Sequence, residues 1–287
     1  MAETPEHSVL ACIDGSIYAQ SVADHAAWAA GRLSAGVRLL QVLGRRESSS
    51  SDRSGRIVAG ARRQLLEQLS ELDHARAKLL QSQARLDLSD AEVRLRDAGV
   101  ERVDKLLRQG DLLETLQALE DETSLIVIGK RGAAADFATG HLGSNLERIL
   151  RAMHRPVLIA ARGYGAPSRV VIAFDGRASA INAVDEVARS ALFQGLAITL
   201  VQCGTPDQAS ATRLAAAAEQ LAGGGLKTEQ RIESGPPETT LPAIVEETGT
   251  DLVVMGAYGH SRLRTLMIGS TTTQVIRDCK VPILVYR

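Results

Sequence analysis

Aromatic residues are scarce. One Trp, four Tyr and three Phe make up 3% of the 287 residues, too few for a platform that stacks successive bases of a single strand. An excess of charge of one sign is also missing. The 33 Lys and Arg against 34 Asp and Glu leave a net charge of −1, so nothing electrostatic draws the chain to nucleic acid or to a membrane, and neither is expected as a partner. Cysteine is rare. Cys12, Cys203 and Cys279 lie far apart and form no C-x-x-C, so they read as small buried hydrophobes in a reducing compartment. No window approaches the roughly 20 apolar residues of a membrane span, and the opening MAETPEHSVLACID holds no apolar stretch of signal-peptide length. A cytoplasmic location is expected. What is present, 45% hydrophobic and 23% charged residues, describes a folded globular chain, and its length suggests two domains of about 150 residues each.

The chain repeats itself. HSVLACIDGS (7–16) matches SRVVIAFDGR (168–177), with Asp14 falling on Asp175 at an offset of 161. VRLLQVLG (37–44) matches AITLVQCG (197–204) at the same offset, with Val42 on Cys203. SLIVIGKRG (124–132) then matches DLVVMGAYG (251–259), placing Gly129 on Gly256 and Gly132 on Gly259 at an offset of 127. In the last block Gly143 falls on Gly269, Ser144 on Ser270 and Pro156 on Pro282 at an offset of 126. Matches in the same order in both halves indicate duplication. Each half reads as strands alternating with helices. The strands are near-continuous apolar runs such as VVIAF and DLVVM, as expected for a parallel sheet covered on both faces. The fold class is α/β, with two tandem open five-stranded parallel sheets of Rossmann-like form over 6–161 and 168–287, joined by the linker RGYGAPS (162–168). The two closing strands, PVLIA and PILVY, are expected to pair antiparallel, since either would otherwise be an unprotected apolar edge.

The fall in offset from 161 to 127 means that the first half carries 34 extra residues between its second strand and its final strands. They lie in about 45–99. Val58, Ala61, Leu65, Leu69, Leu72, Ala75 and Leu79 recur there at steps of three and four, one apolar stripe on a helix. Ser89-Asp90-Ala91-Glu92 has capping-box spacing and Gly99 suits the residue after a helix end. Two helices, or one kinked helix, are expected, with the stripe packed on the domain's own sheet or on another subunit.

Ligands of open parallel sheets bind beyond the carboxyl ends of the strands. In the second half those ends carry Asp175-Gly176, then Gly256-x2-Gly259-x9-Gly269-Ser270-Thr271, the last three opening a helix. Glycines let backbone come close to a bulky anion, and the first N–H groups of a helix have no internal partner and favour negative charge. Ser270 and Thr271 add hydroxyl donors. Asp175 would repel a phosphate, so it suits an amino or hydroxyl group at the opposite end of the ligand. A molecule with phosphate at one end and an amine or sugar at the other is a nucleotide. The plainer alternatives are strand punctuation by Gly, helix capping by Ser or Thr, and a solvated turn Asp.

Together these residues resemble the universal stress protein family, in tandem, over nearly the whole chain. The motif G-x2-G-x9-G-[ST] is the signature of that family's ATP-binding branch. The resemblance implies bound ATP or AMP, commonly with Mg²⁺, and pairing of domains through the last strand. It implies that Asp175 meets the base or ribose, that Cys203 offers backbone to adenine, and that Gly256, Gly259, Gly269, Ser270 and Thr271 hold the phosphates. In the first half Asp14, Val42, Gly129, Gly132, Gly143 and Ser144 hold the matching places. There ten residues rather than nine separate Gly132 from Gly143, Asn145 replaces the second hydroxyl, and the insertion follows strand two close to the adenine side. The second half is therefore the expected stronger site. Arg177, where the first half has Ser16, either reaches a phosphate or faces water.

No catalytic constellation accompanies these residues. G-x4-GK-[ST], H-E-x-x-H and G-x-S-x-G are all absent, and the six histidines, His141 and His260 of the glycine loops among them, show no metal-ligand spacing. The expected protein is a nucleotide-binding stress-response regulator with at most weak ATP hydrolysis. It is expected to act as a homodimer and through a protein partner that the sequence does not name. A scaffold with vestigial sites and a nucleotide-dependent enzyme remain as alternatives.

Overall fold

The structure, a computed structural model, describes residues 8–44, 59–131, 143–257 and 269–287, and of residues 59–66 and 144 the backbone alone. The first half contributes strands β1 (Ser8–Cys12), β2 (Val37–Leu43), β3 (Val103–Gln109), β4 (Thr123–Gly129) and β5 (Val157–Ala160). The second contributes β6 (Arg169–Ala173), β7 (Ala197–Cys203), β8 (Thr228–Glu233), β9 (Leu252–Gly256) and β10 (Ile283–Tyr286). The α-helices between them are α1 (Ala19–Leu33), α2 (Ala59–Asp97), α3 (Leu112–Leu119), α4 (Ser144–Ala152), α5 (Ala178–Arg189), α6 (Gln208–Gly223), α7 (Pro237–Thr248) and α8 (Ser270–Asp278).

All ten strands form one sheet in the order β3-β2-β1-β4-β5-β10-β9-β6-β7-β8. Within each half the pairing is parallel. Across the middle β5 and β10 run antiparallel, with Leu284 opposite Leu158, as the apolar closing runs require. All four residues of each are buried. The outer strands β3 and β8 carry charged residues, VDKLLRQ and TEQRIE, which blunt the two free edges. Because β-strand side chains alternate between faces, the sheet has two cores. Val9, Leu39, Phe193 and Leu252 lie in one, with α1, α2, α5 and α6 on that face. Leu10, Leu40, Ile149 and Val253 lie in the other, under α3, α4, α7 and α8.

Polar ties also join the halves. Lys130 Nζ donates to the Cys279 carbonyl, Arg32 Nε to the Leu192 carbonyl at 2.6 Å, Arg287 Nη1 to the Ala152 carbonyl at 3.2 Å and Ser21 Oγ to the linker carbonyl of Gly163 at 3.3 Å. Burial pushes the Lys130 ammonium down to about 8 and raises the thiols of Cys12 to about 12 and Cys279 to about 11. These two cysteines are protonated core residues, as their apolar surroundings suggest.

The inserted segment differs from expectation. α2 is one continuous helix of 39 residues, about 58 Å long at 1.5 Å per residue, rather than two helices or a kinked one. Ser89-Asp90-Ala91-Glu92 lies inside it, because Ala91 and Leu95 continue a buried stripe with Ala84 and Leu88 that packing holds helical whatever the local capping preference. Gly99 does follow the end, at φ +87°. The expected packing of the earlier stripe is not met within the chain. Leu69, Leu72 and Leu79 are exposed, and the buried stripe of α2 runs only from Ala84 to Leu95. Val58 lies outside the described residues, as do the side chains of Ala61 and Leu65.

Candidate functional site

In each half the chain starts in the middle of its five strands and builds outward in both directions. β6 lies between β9 and β7, and β1 between β4 and β2. The crevice beyond the carboxyl ends of β6 and β9 is therefore a topological switch point, where open α/β sheets take ligands. Asp175 follows β6 and Gly256 ends β9, so the fold brings the two residue groups singled out in the sequence to the two lips of one crevice. Cys203 ends β7, the next strand over. Asp14, Gly129 and Val42 take the matching places around β1, β4 and β2.

Asp175 is exposed, and its Oδ1 accepts the backbone N–H of Arg177 at 2.9 Å. This closes the turn into α5, with Gly176 at φ +72°. Arg177 Nε stands 3.6 Å from Asp175 Oδ2. Thus Asp175 is a turn-forming residue as well as a carboxylate open to a ligand. A Cβ on Gly176 would stand 2.9 Å from Arg213 Cδ and Nε, so the Arg213 side chain lies along the turn. The first half repeats the turn with different chemistry. Ser16 N–H donates to Asp14 Oδ1 at 3.2 Å, Gly15 has φ +53°, and the group beside it is the Asp87 carboxylate, 3.0 Å from where a Cβ would be. Asp87 comes from α2 and Arg213 from α6, so neither adjoins its Asp-Gly turn in sequence.

Behind these turns are two residues that a reading of Asp-Gly and glycine motifs missed. Gln41 and Gln202 occupy the same repeat position, one before Val42 and Cys203. Both are 7% exposed, and the Oε1 of each has no hydrogen-bond partner. Gln41 Nε2 donates to Asp87 Oδ2 at 3.2 Å. Buried amide oxygens normally find a donor, and a polar residue repeated inside two apolar strands was the signal available in the sequence. Cys203 is half-buried. Burial, with Glu233 and Glu238 nearby, raises its thiol to about 11, so the thiol is held protonated at neutral pH.

The glycines divide by physical role. A Cβ on Gly256 would stand 2.5 Å from the Ser179 carbonyl group and 2.7 Å from Ala180 N, and one on Gly129 would stand 2.7 Å from Tyr18 Cβ. Both are glycine because the first helix of each half presses on the strand end. Gly269 is different. It caps α8 at an ordinary φ of −56°, and the nearest atom to a Cβ there is Thr272 Oγ1 at 3.9 Å. Neither its backbone conformation nor any contact among the described residues requires glycine at that place, beside the first N–H groups of the helix. No side chain caps that start and no acidic residue lies in its first turn. Ser270 is exposed and Thr271 half-exposed. The matching start of α4 at Gly143-Ser144 is also uncapped but carries Glu147 in its first turn. Gly132, Gly259, His141 and His260 lie outside the described residues.

A sequence profile described as "Universal stress protein family" matches residues 6–161 and 204–287. The chain belongs to the universal stress protein family. It is 37% identical over 285 residues to Universal stress protein Slr1230 of Synechocystis sp., covering 98% of this chain and 99% of that one. In fold it resembles a universal stress protein from Archaeoglobus fulgidus, with TM-score 0.69, 19% identity and 98% and 96% of the two chains covered. It also resembles a putative universal stress protein from Pseudomonas aeruginosa, with TM-score 0.63, 18% identity and coverage of 98% and 92%. Each of these matches runs over nearly the whole of both chains.

Proposed function

We propose that this chain is a cytoplasmic stress-response regulator built of two domains, 6–161 and 168–287, whose second domain binds ATP or AMP. The observation that carries this reading is the start of α8, where no side chain caps the N–H groups and no contact among the described residues calls for a glycine at 269. Backbone N–H groups at such a helix start suit a phosphate. Gly256, Gly259, Gly269, Ser270 and Thr271 would hold the phosphates, and Asp175 would accept from the base or ribose. The backbone of Cys203 would border the base. Among the described residues no group of three or more His, Cys, Asp or Glu gathers to hold an ion, so Mg²⁺ would arrive with the phosphates. The bound nucleotide would act as a signal, with at most weak hydrolysis, and be read by a protein partner.

For the first domain the chemistry favours a scaffold role. Asp87 at the Asp14 turn and Glu147 in the first turn of α4 both oppose an anion at Gly129, Gly132, Gly143 and Ser144, and Val42 borders the base side there. Calorimetric titration of the full chain with ATP and AMP tests the reading. One strong site per chain, lost in Gly269→Val and kept in Gly143→Val, is the expected result. Failure of both nucleotides to bind overturns it.

A further inference from the structure

The closing strands β5 and β10 pair with each other inside one chain, which leaves neither as a free edge. Any association of two chains must use another surface. α2 carries one. Its last turns are held by Ala84, Leu88, Ala91 and Leu95 against the domain. Every described residue from 67 to 80 is exposed, so about 20 Å of helix at 1.5 Å per residue runs free of its own domain. On this helix Leu72, Leu79, Leu86 and Val93 are 67%, 70%, 59% and 59% exposed. They follow one another at steps of seven. Leu86 precedes the buried Leu88 by two residues, about 200° around the helix, so the stripe faces directly away from the domain. On a lone helix of 3.6 residues per turn a seven-residue stripe drifts by about 20° per repeat; it stays in line only when wound around another helix. Ala75, Ser82 and Ser89 supply the alternate core position, small enough for close approach.

Charge along the exposed part of the stripe suits a second copy as the occupant. With Leu72 at position a of the heptad, position g carries Glu71, Lys78, Arg85 and Glu92 and position e carries Arg76, Gln83, Asp90 and Asp97. In a parallel, in-register pair each g residue meets the e residue five places on in the other helix. Glu71 then meets Arg76 of a second copy, and Arg85 meets its Asp90, each twice by symmetry; Lys78 meets Gln83, and Glu92 meets Asp97 at the domain end, where Lys105 of its own domain already pairs Glu92 at 2.5 Å. We propose that α2 is a self-association helix, through which two copies of this chain form a parallel, in-register coiled coil, with the two sheet bodies held on opposite outer sides. The small residues at position d make this pairing weaker than a full leucine zipper, suited to assembly that responds to concentration.

Sedimentation equilibrium of the full chain tests it. A dimer is expected. Leu72→Lys together with Leu79→Lys should weaken it by at least about a hundredfold, since apolar layers are replaced by like charges, while nucleotide titration and the far-ultraviolet spectrum stay unchanged. Arg85→Glu should weaken the dimer several-fold, and adding Asp90→Arg to it should restore it. With Cys203→Ser as background, Ser82→Cys should cross-link on oxidation, because only the in-register pair sets 82 opposite 82. A monomer at all concentrations, or a dimer indifferent to the paired Leu→Lys change, overturns the proposal. A dimer sensitive to that change that neither cross-links at 82 nor recovers with Asp90→Arg overturns the parallel register.

Discussion

The two halves of this protein share a frame and differ at its rim. β1 and β6, β2 and β7, β4 and β9 take the same places in the sheet, and Gln41 and Gln202 are buried to the same 7%. At the ligand end the chemistry diverges. Arg213 lies along the second Asp-Gly turn where Asp87 lies along the first. Arg177 is exposed where Ser16 is buried and its Oγ accepts the Tyr18 N–H at 3.2 Å. The first turn of α8 holds no acid where that of α4 holds Glu147. After duplication the frame is held in place by close packing, in which a change of one methylene is felt. Rim residues are solvated, so their charge can change with little effect on folding. At this rim the second half carries Arg177 and Arg213 where the first carries Ser16 and Asp87.

The largest expected effect that sharpens this comparison is on stability. Gly256→Ala pushes a methyl into the Ser179 backbone and should cost about 3 kcal/mol, whereas Gly129→Ala meets a side chain and should cost less. Thermal melts of both variants check the order. Next, Gly269→Val should leave the melting temperature nearly unchanged, because its Cβ meets no described atom closer than Thr272 Oγ1 at 3.9 Å, yet lower nucleotide affinity at least about thirtyfold, or 2 kcal/mol. Equal loss from Gly143→Val would show that both halves bind alike. Third, Asp175→Ala should lower affinity roughly tenfold, a magnitude near the low end for a lost hydrogen bond to a charged group, since this carboxylate is half exposed. Asp14→Ala should do less, and titration calorimetry ranks the pair.

Smaller effects come from the flanking charges. Arg213→Asp should weaken nucleotide binding a few-fold and Asp87→Arg should strengthen the first site. Both effects should shrink as salt is raised, because these charges are solvated. The smallest is a pH effect confined to the first half. His25 is fully buried on α1, its Nδ1 lies 2.6 Å from the Ser21 carbonyl oxygen, and its Nε2 has no partner. Burial lowers its pKa, so the unfolded chain binds a proton there that the folded one refuses. Stability should therefore be full above the unfolded value of about 6.5 and decline as the pH falls below it. His25→Phe should flatten that acid limb of melting temperature against pH.

Duplication, the parallel α/β build of each half and the residues at the two lips of the crevice were legible in the chain itself, whereas the order of the strands, with β1 and β6 central, came from the structure. Apolar runs of five to seven residues ending in Asp-Gly or Gly, alternating with helical stretches, permit few arrangements when crossovers must be right-handed and edges must be covered. That logic placed PVLIA against PILVY before any coordinate did, and β5 and β10 pair so. The α2 segment was legible only as a helix. Its seven-residue spacing was written in the sequence, but which side meets the sheet depended on Ala84, Leu88, Ala91 and Leu95 reaching it. Helical periodicity shows that a face is apolar, not what covers it.

The tertiary structure alone decided the roles of single residues. Gly256 and Gly269 look alike in a motif, yet one is required by helix-to-strand contact and the other makes no contact among the described residues that needs it. Asp87 and Arg213 sit beside their Asp-Gly turns although 72 and 37 positions separate them from Gly15 and Gly176. The reason is physical. Backbone architecture follows from the period and length of apolar runs, which are local properties of a chain. The chemistry of a site is set by which distant side chains the closed sheet brings within reach, and only a packed chain defines that distance.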